Sequence, residues 1–382
     1  MQQVRVYWMT AEIISPTIIT SEVGRKGFVY SVFTDIIPGS IFKGAILTAA
    51  LVENVLKSRE DANQMAKSPD FAFSPLVRSS SQDIMPLSNL LITHELCYTT
   101  KWEKDKIFSL GAHKLATAID YEHSLMELED HFLSHKIKEG WKYAPGEIKK
   151  QPGRPAIKKN GSWRLLSDGP LESYYIQVAL DHSRGSAAPG MLYAYEHIIP
   201  GILYSGVAIT SSVCPLRDLL ERNTVNVRIG RGISRGFGKV RLNIRTLQLP
   251  RLSELRGGEQ VVLEALSPVF VEDPLPRPPK KGDLLVLDPN WYDRLLNVDI
   301  NAGFRVKAVI GRFTTYRGWS LRTKLPKLPI SALAEGSLLI CEVEEKIPSE
   351  VSTVLPVVGL NRRASSGFNQ LLPLTPDPFG DD

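Results

Sequence analysis

The sequence predicts an α+β fold, and three observations predict it. Alternating apolar residues open the chain, a Pro-Gly turn leads from a short apolar run into a helical pattern, and strand-like segments recur in the C-terminal third. Residues 248–260 and the prolines Pro274, Pro276, Pro278 and Pro279 set off two parts, 1–248 and 249–382, with a boundary near 250. A chain of 382 residues is long enough for each part to bury a core.

Val4, Val6 and Trp8 alternate with Arg5 and Tyr7, and Ile13 and Ile14 follow a short polar break, so the first element is a strand. In Ile36-Ile37-Pro38-Gly39-Ser40-Ile41-Phe42-Lys43-Gly44-Ala45 the Pro-Gly pair turns the chain, and Ser40 is placed to cap a helix through about Lys57. Residues 58–70 are polar and read as a connection, while residues 71–100 carry apolar pieces too broken by Pro75, Pro86 and serine clusters to assign. A helix fits from about Met126 to Lys138.

Residues 136–164 then collect Lys136, Lys138, Lys142, Lys149, Lys150, Arg154, Lys158, Lys159 and Arg164. Prolines, glycines, Trp141, Tyr143 and Trp163 are interleaved, which predicts an exposed, mobile basic insertion, either simply solvated or contacting phosphates. Strands follow at Tyr174 to Leu180, near Leu203 to Ile209 and at Thr224 to Ile229, with a short helix from Pro215 to Arg222 before the last. Beyond the boundary, Leu284 to Leu287, Phe304 to Ile310 and Gly336 to Val343 read as strands.

Composition excludes several classes. With 43% hydrophobic and 23% charged residues, 28 Gly and 26 Pro, the chain is neither disordered nor a rod, but globular and loop-rich. Lys and Arg exceed Asp and Glu by 46 to 41, a net +5 that permits a polyanionic partner without requiring one. Cys97, Cys214 and Cys341 lie far apart, unlike a disulfide-stapled scaffold. The N-terminus lacks a basic stretch followed by an apolar block, and no apolar run reaches 18 residues, so a soluble, cytoplasmic protein is expected.

The most informative segment is Arg228-Ile229-Gly230-Arg231-Gly232-Ile233-Ser234-Arg235-Gly236-Phe237-Gly238-Lys239. A strand enters it, and a strand alternating at Val240, Leu242 and Ile244 leaves it. Gly230, Gly232, Gly236 and Gly238 free the backbone for positive dihedrals and close approach, and Arg228, Arg231, Arg235, Lys239 and Arg241 surround the loop with cationic donors. A phosphodiester backbone suits such a loop. No helix follows the glycines and no Gly-Lys-Ser/Thr is present, so neither a dinucleotide fingerprint nor a nucleoside-triphosphate loop fits. The plain alternative is a glycine-bulged hairpin whose arginines face water. Gly311 to Trp319 and Gly359 to Phe368 repeat the grammar of Gly, Arg, small polar residues and Gly-aromatic, in which an aromatic such as Phe237 or Trp319 can stack on a base while guanidiniums hold phosphates.

Together, the initial strand, the Ile37-to-Ala45 motif and the Gly230-to-Gly238 loop resemble the repeat-associated mysterious protein (RAMP) superfamily of CRISPR effector subunits. Tyr175 to Glu196, Pro200 to Gly206, Arg317-Gly318-Trp319 and Ala334 to Ser337 resemble more narrowly the Csx-ten, Cas-five-like subunit of type III-D complexes. The resemblance implies two ferredoxin-like, RNA-recognition-type domains and a non-catalytic subunit. Such a subunit would hold the 5′ handle of the guide RNA, dock onto the large polymerase-like subunit and the backbone subunits, and meet target RNA only indirectly. It implies Ser40 and Lys43 beside RNA at a helix start, where free amides and the helix dipole favour a phosphate.

Three rival sites are legible. His94 and Cys97 have half-site spacing for zinc, with His131 and His135 as the other half and His113 and His123 also available, although no metal or cofactor is expected. Asp35, beside the Pro-Gly turn, is the residue for metal-dependent RNA cleavage, and His182, next to Asp181, is the candidate base of a guide-processing endoribonuclease. A loop cap and a structural hydrogen bond are the plainer readings of these two.

Overall fold

In a computed structural model, the structure describes residues 4–26, 29–32, 35–80, 90–117, 120–138, 148–166, 171–181, 186–316, 319–320, 325–326, 328–374 and 377–379. The first strand, Val4–Ile13, runs unbroken through Thr10, whose hydroxyl lies 3.4 Å from that of Ser205. It sits at the centre of a seven-stranded sheet, in the order Thr224–Arg228, Lys239–Leu247, Val4–Ile13, Leu203–Ser211, Leu76–Ser79, Ile36–Ile37, with Phe71–Phe73 also on Leu203–Ser211. The pairings are antiparallel, Val6 facing both Ile209 and Leu247. Alternation sends Tyr7, Met9, Ala11 and Ile13 to one core and Val6 and Trp8 to another. A strand buried on both faces must lie inside a layered molecule.

Helix α1, Gly39–Val52, covers the first of those faces with Phe42, Ile46 and Ala50. Its N-cap is Pro38 rather than Ser40, whose side chain makes no capping bond, and it stops at Val52 because Glu53 closes it and Asn54 turns left-handed. Residues 58–70 are not a simple connection. They hold α2, Arg59–Ala66, nucleated by a reciprocal capping box between Ser58 and Asp61. The unassigned stretch 71–100 supplies four short strands, Phe71–Phe73, Leu76–Ser79, Leu90–Ile92 and Cys97–Thr100, with Pro75 and the serines at their ends.

Helix α3 spans Tyr121–Lys138. The basic insertion beyond it is no exposed arm over residues 148–164, its described part past the helix. Ile148–Lys150 pairs with Cys97–Thr100, and the hairpin Pro155–Lys159 with Ser162–Leu165 pairs onward to Leu90–Ile92. Asn160 and Gly161 take positive φ, the pair that a two-residue hairpin turn requires, and Ala156, Ile157 and Trp163 are buried. Arg154 pairs with Asp35, Arg164 with Asp105 and Lys150 with Glu129, so three of the six cations in its described part have carboxylate partners within the chain, while Lys149, Lys158 and Lys159 stay exposed. Residues 139–147, with Trp141, Lys142 and Tyr143, lie outside the described residues.

The Pro215-to-Arg222 helix contracts to one turn, α4, Arg217–Leu220. Beyond Leu247 a five-stranded sheet runs Leu284–Val286, Gly303–Ile310, Leu338–Val343, Gln260–Ala265, Leu371–Pro373. Helices α5, Pro289–Leu296, and α6, Ser349–Val358, pack between the two sheets, and α6 is buried almost all round. One core therefore joins Val6, Trp8 and Val207 of the first part to Val261, Phe304 and Leu355 of the second. The segment 96–115, to which the insertion is paired, lies on the far face of the second sheet, through Leu96, Tyr98 and Leu115 against Val262, Leu338 and Ile340.

Candidate nucleic-acid interface

Along Thr224–Arg228 and Lys239–Leu247, Val225, Val227, Val240, Leu242 and Ile244 face the core. Alternation therefore turns Arg228, Lys239 and Arg241 to solvent at the mouth of the loop that joins the two strands. All four loop glycines take positive φ, and a short 3₁₀ turn, Ile233–Arg235, lies between Gly232 and Gly236. At Gly230 a Cβ would run into the Ile18 carbonyl, and at Gly238 into that of Ile229. Side chains are excluded there by contact as well as by φ.

Three ties hold the loop's shape. The Arg231 amide donates to Ile18 O at 2.8 Å, the Ser15 hydroxyl donates to Gly236 O at 3.0 Å while accepting the Lys239 amide at 2.9 Å, and the Gly238 amide donates to Pro16 O at 2.9 Å. The loop is a preformed platform resting on residues 15–18, whose part in it no motif in the sequence announced. Alanine at Gly230 or Gly238 is expected to cost about 1–3 kcal/mol, more than at Gly236, where a Cβ meets nothing within 4 Å. Urea unfolding of the three variants checks this order, and equal costs would refute the close-contact argument.

Arg228, Arg231, Ser234, Arg235 and Lys239 are exposed. Among the described residues no carboxylate pairs with Arg228, Arg231 or Lys239, whereas Arg241 pairs with Glu12 at 3.3 Å. The Arg228 guanidinium instead donates to Ile233 O at 3.0 Å. Phe237 is no stacking platform: it is buried beneath Gly232 and meets the His197 ring edge-on, 6.5 Å between centroids. Gly238 is buried with it. The aromatic anchors the loop because its neighbours at 229 and 240 already face inward.

The helix-start residues stand elsewhere. Lys43 is 3% exposed, and its ammonium donates to Ser68 O at 3.1 Å and Ser365 Oγ at 3.4 Å. Burial pulls its pKa down to about 7, against the nearby Cys214 and Asp70. Ser40 is half-buried beneath Gly367. The third glycine loop of the chain thus roofs the start of α1 and takes the place the sequence reading reserved for a phosphate.

The two echo loops serve the fold. Arg312 pairs with Glu95 at 3.1 Å, Arg363 pairs with Glu272, and Phe368 packs edge-on against Phe270 and Tyr316 with centroids 5.2 and 5.6 Å away. Arg317 and Gly318, and the side chain of Trp319, lie outside the described residues.

Asp35 is clamped between Arg78 at 3.0 Å and Arg154 at 3.3 Å, so its charge is answered by two guanidiniums and a metal would have to displace them. His94 is fully buried: its Nδ1 accepts the Leu96 amide at 3.2 Å, which leaves the proton on Nε2, 3.1 Å from Asp377. Cys97 is buried beside it, and burial, then the Asp377 charge, raise its thiol pKa, the reverse of what a thiolate ligand needs. His131 is exposed on α3, and the side chain of His135 lies outside the described residues. Among the described residues no three His, Cys, Asp or Glu gather as a metal would need. His182 lies outside the described residues.

Protein-family models give no match to this chain, and neither do curated proteins. Among solved structures it is similar to a chain of the Type III-B Cmr-beta complex bound to cognate target RNA, at 11% identity, 87% of this chain, 86% of that chain and TM-score 0.44. It is also similar to a chain of the Csm3-Csm4 subcomplex of the type III-A CRISPR-Cas interference complex, at 14% identity, 90% and 96% coverage and TM-score 0.32. A third similar structure is oligomeric Cmr4 from Pyrococcus furiosus, at 12% identity, 64% and 100% coverage and TM-score 0.27.

Proposed function

We propose that this protein is a non-catalytic RNA-binding subunit of a type III CRISPR effector complex, most like the Csx-ten, Cas-five-like subunit of type III-D. It holds the 5′ handle of the guide RNA in the Gly230-to-Gly238 loop and docks onto the large polymerase-like subunit and the backbone subunits. The observation that carries the reading is a preformed loop whose exposed Arg231 and Lys239 have no carboxylate partner among the described residues. Unneutralised cations on a rigid backbone cost repulsion that a polyanion relieves. The resemblance of the Ile37-to-Ala45 and Gly230-to-Gly238 motifs to RAMP subunits supports the same reading. The pairing of Asp35 with two arginines speaks against metal-dependent cleavage at that residue.

Arg231→Ala is expected to weaken binding of CRISPR repeat RNA and to lower the slope of log affinity against log salt by about 0.7, one phosphate contact on a single strand. Arg235→Ala is expected to do the same. Affinities measured across a salt series check this, and an unchanged slope in both variants would overturn the loop assignment. The same RNA incubated with the protein in chelator, then with magnesium or manganese, should be retained uncut.

A further inference from the structure

The loop's apolar residues do not all turn inward. Ile229 and Phe237 are buried, but Ile233 is 39% exposed at the apex, with Arg231, Ser234 and Arg235 exposed around it. The 39% of this aliphatic side chain left open to water among cations is surface that the fold itself does not cover. Yet the loop holds it there. Left-handed Gly232 and Gly236 flank its turn, and the Arg228 guanidinium grips its carbonyl at 3.0 Å.

We propose that Ile233 is a base-contacting wedge: its side chain lies against the face of one unstacked ribonucleotide base while Arg231 holds an adjoining phosphate, which makes the loop selective for single-stranded over duplex RNA. The inference rests on the reading of this loop as RNA-binding. Inside a duplex both faces of each base are covered by stacked neighbours, so away from its two ends an apolar wedge finds no surface to cover. In a single strand a splayed base offers one. Arg228, with its guanidinium on the Ile233 carbonyl, is a positioning residue for the wedge.

The test uses the full chain and two probes, a short single-stranded RNA with 2-aminopurine placed at each position in turn and a blunt RNA duplex of the same sequence. Ile233→Ala should weaken single-strand binding roughly tenfold, leave duplex binding and the salt slope unchanged, and abolish the fluorescence change at one position. Ile233→Leu should keep all three. If Ile233→Ala binds the single strand as the wild type does, or weakens both probes equally, while Arg231→Ala weakens both, the wedge is wrong and the RNA reading stands. If the wild type binds neither probe, or Arg231→Ala changes neither affinity, the RNA reading fails and takes the wedge with it.

Discussion

Asp377→Ala is expected to destabilise the protein by about 3–5 kcal/mol, the range for removing one partner of a buried charged network. The Asp377 carboxylate accepts from His94 Nε2 at 3.1 Å, Ser109 Oγ at 2.6 Å, and the amides of Ala112 and Phe379 at 2.7 and 3.0 Å. Alanine leaves those four donors without an acceptor. Beside it, Trp163 Nε1 donates to Pro378 O at 2.6 Å, and the Phe379 ring lies 4.6 Å from that of Trp163 and 5.4 Å from that of His94. Residues 377–379 thus latch the end of the described chain onto the segment 94–112 and onto Trp163 of the insertion. Burial opposes the charge on Asp377, but the neighbouring His94 and the hydrogen bonds from His94, Ser109 and the Ala112 amide more than offset it and hold the carboxyl well below its usual range. With a depressed folded pKa, its stabilisation is present above the unfolded value of 3.8 and is lost as pH falls through the folded one. Urea unfolding at neutral and acid pH checks both parts. A loss below about 1 kcal/mol at neutral pH would mean that the latch is not what holds the segment 94–112 in place.

Glu264→Gln is expected to stabilise the protein increasingly as pH rises, by up to about 1.4 kcal/mol per pH unit. Glu264 is fully buried on the strand Gln260–Ala265, and neither of its carboxyl oxygens has a hydrogen-bond partner among the described residues. Burial first, and then the charge of Asp377, raise its pKa well above 4.5. The sign is opposite to that of Asp377: between 4.5 and the folded value the native state holds a proton that the unfolded chain has released, so stability falls as pH rises through that window. Glutamine has no proton to lose and removes the slope. Stability curves of wild type and variant at pH 5 and pH 8 decide it, parallel curves meaning that the carboxyl reaches solvent or a partner.

Local pattern made some elements legible. The alternation of Val4 to Ile13, the Pro-Gly entry to α1 and the strands either side of the glycine loop depend on neighbours within a turn or two of chain, and the structure has them. Two other local signals were present but outweighed by composition. Ser58 with Asp61 is a capping box inside a polar run, and Asn160-Gly161 is a hairpin turn inside a basic one. Charge density there concealed strands whose apolar faces, at Ala156, Ile157 and Trp163, are only three residues wide.

By itself the sequence determined which backbone positions bend and which faces repel water. Four glycines must be where φ is positive, and arginines alternating with valines at a strand end must leave the core. Only the tertiary structure decided which charges are already answered. Lys43 is capped by a residue 322 positions away and His94 by one 283 positions away, while Asp35 and Arg312 are paired across the chain and Arg231 meets no carboxylate among the described residues. A side chain's type sets its charge, but its availability to a ligand depends on burial and on partners that long-range packing brings within about 4 Å, and that information is not carried by any short stretch of residues.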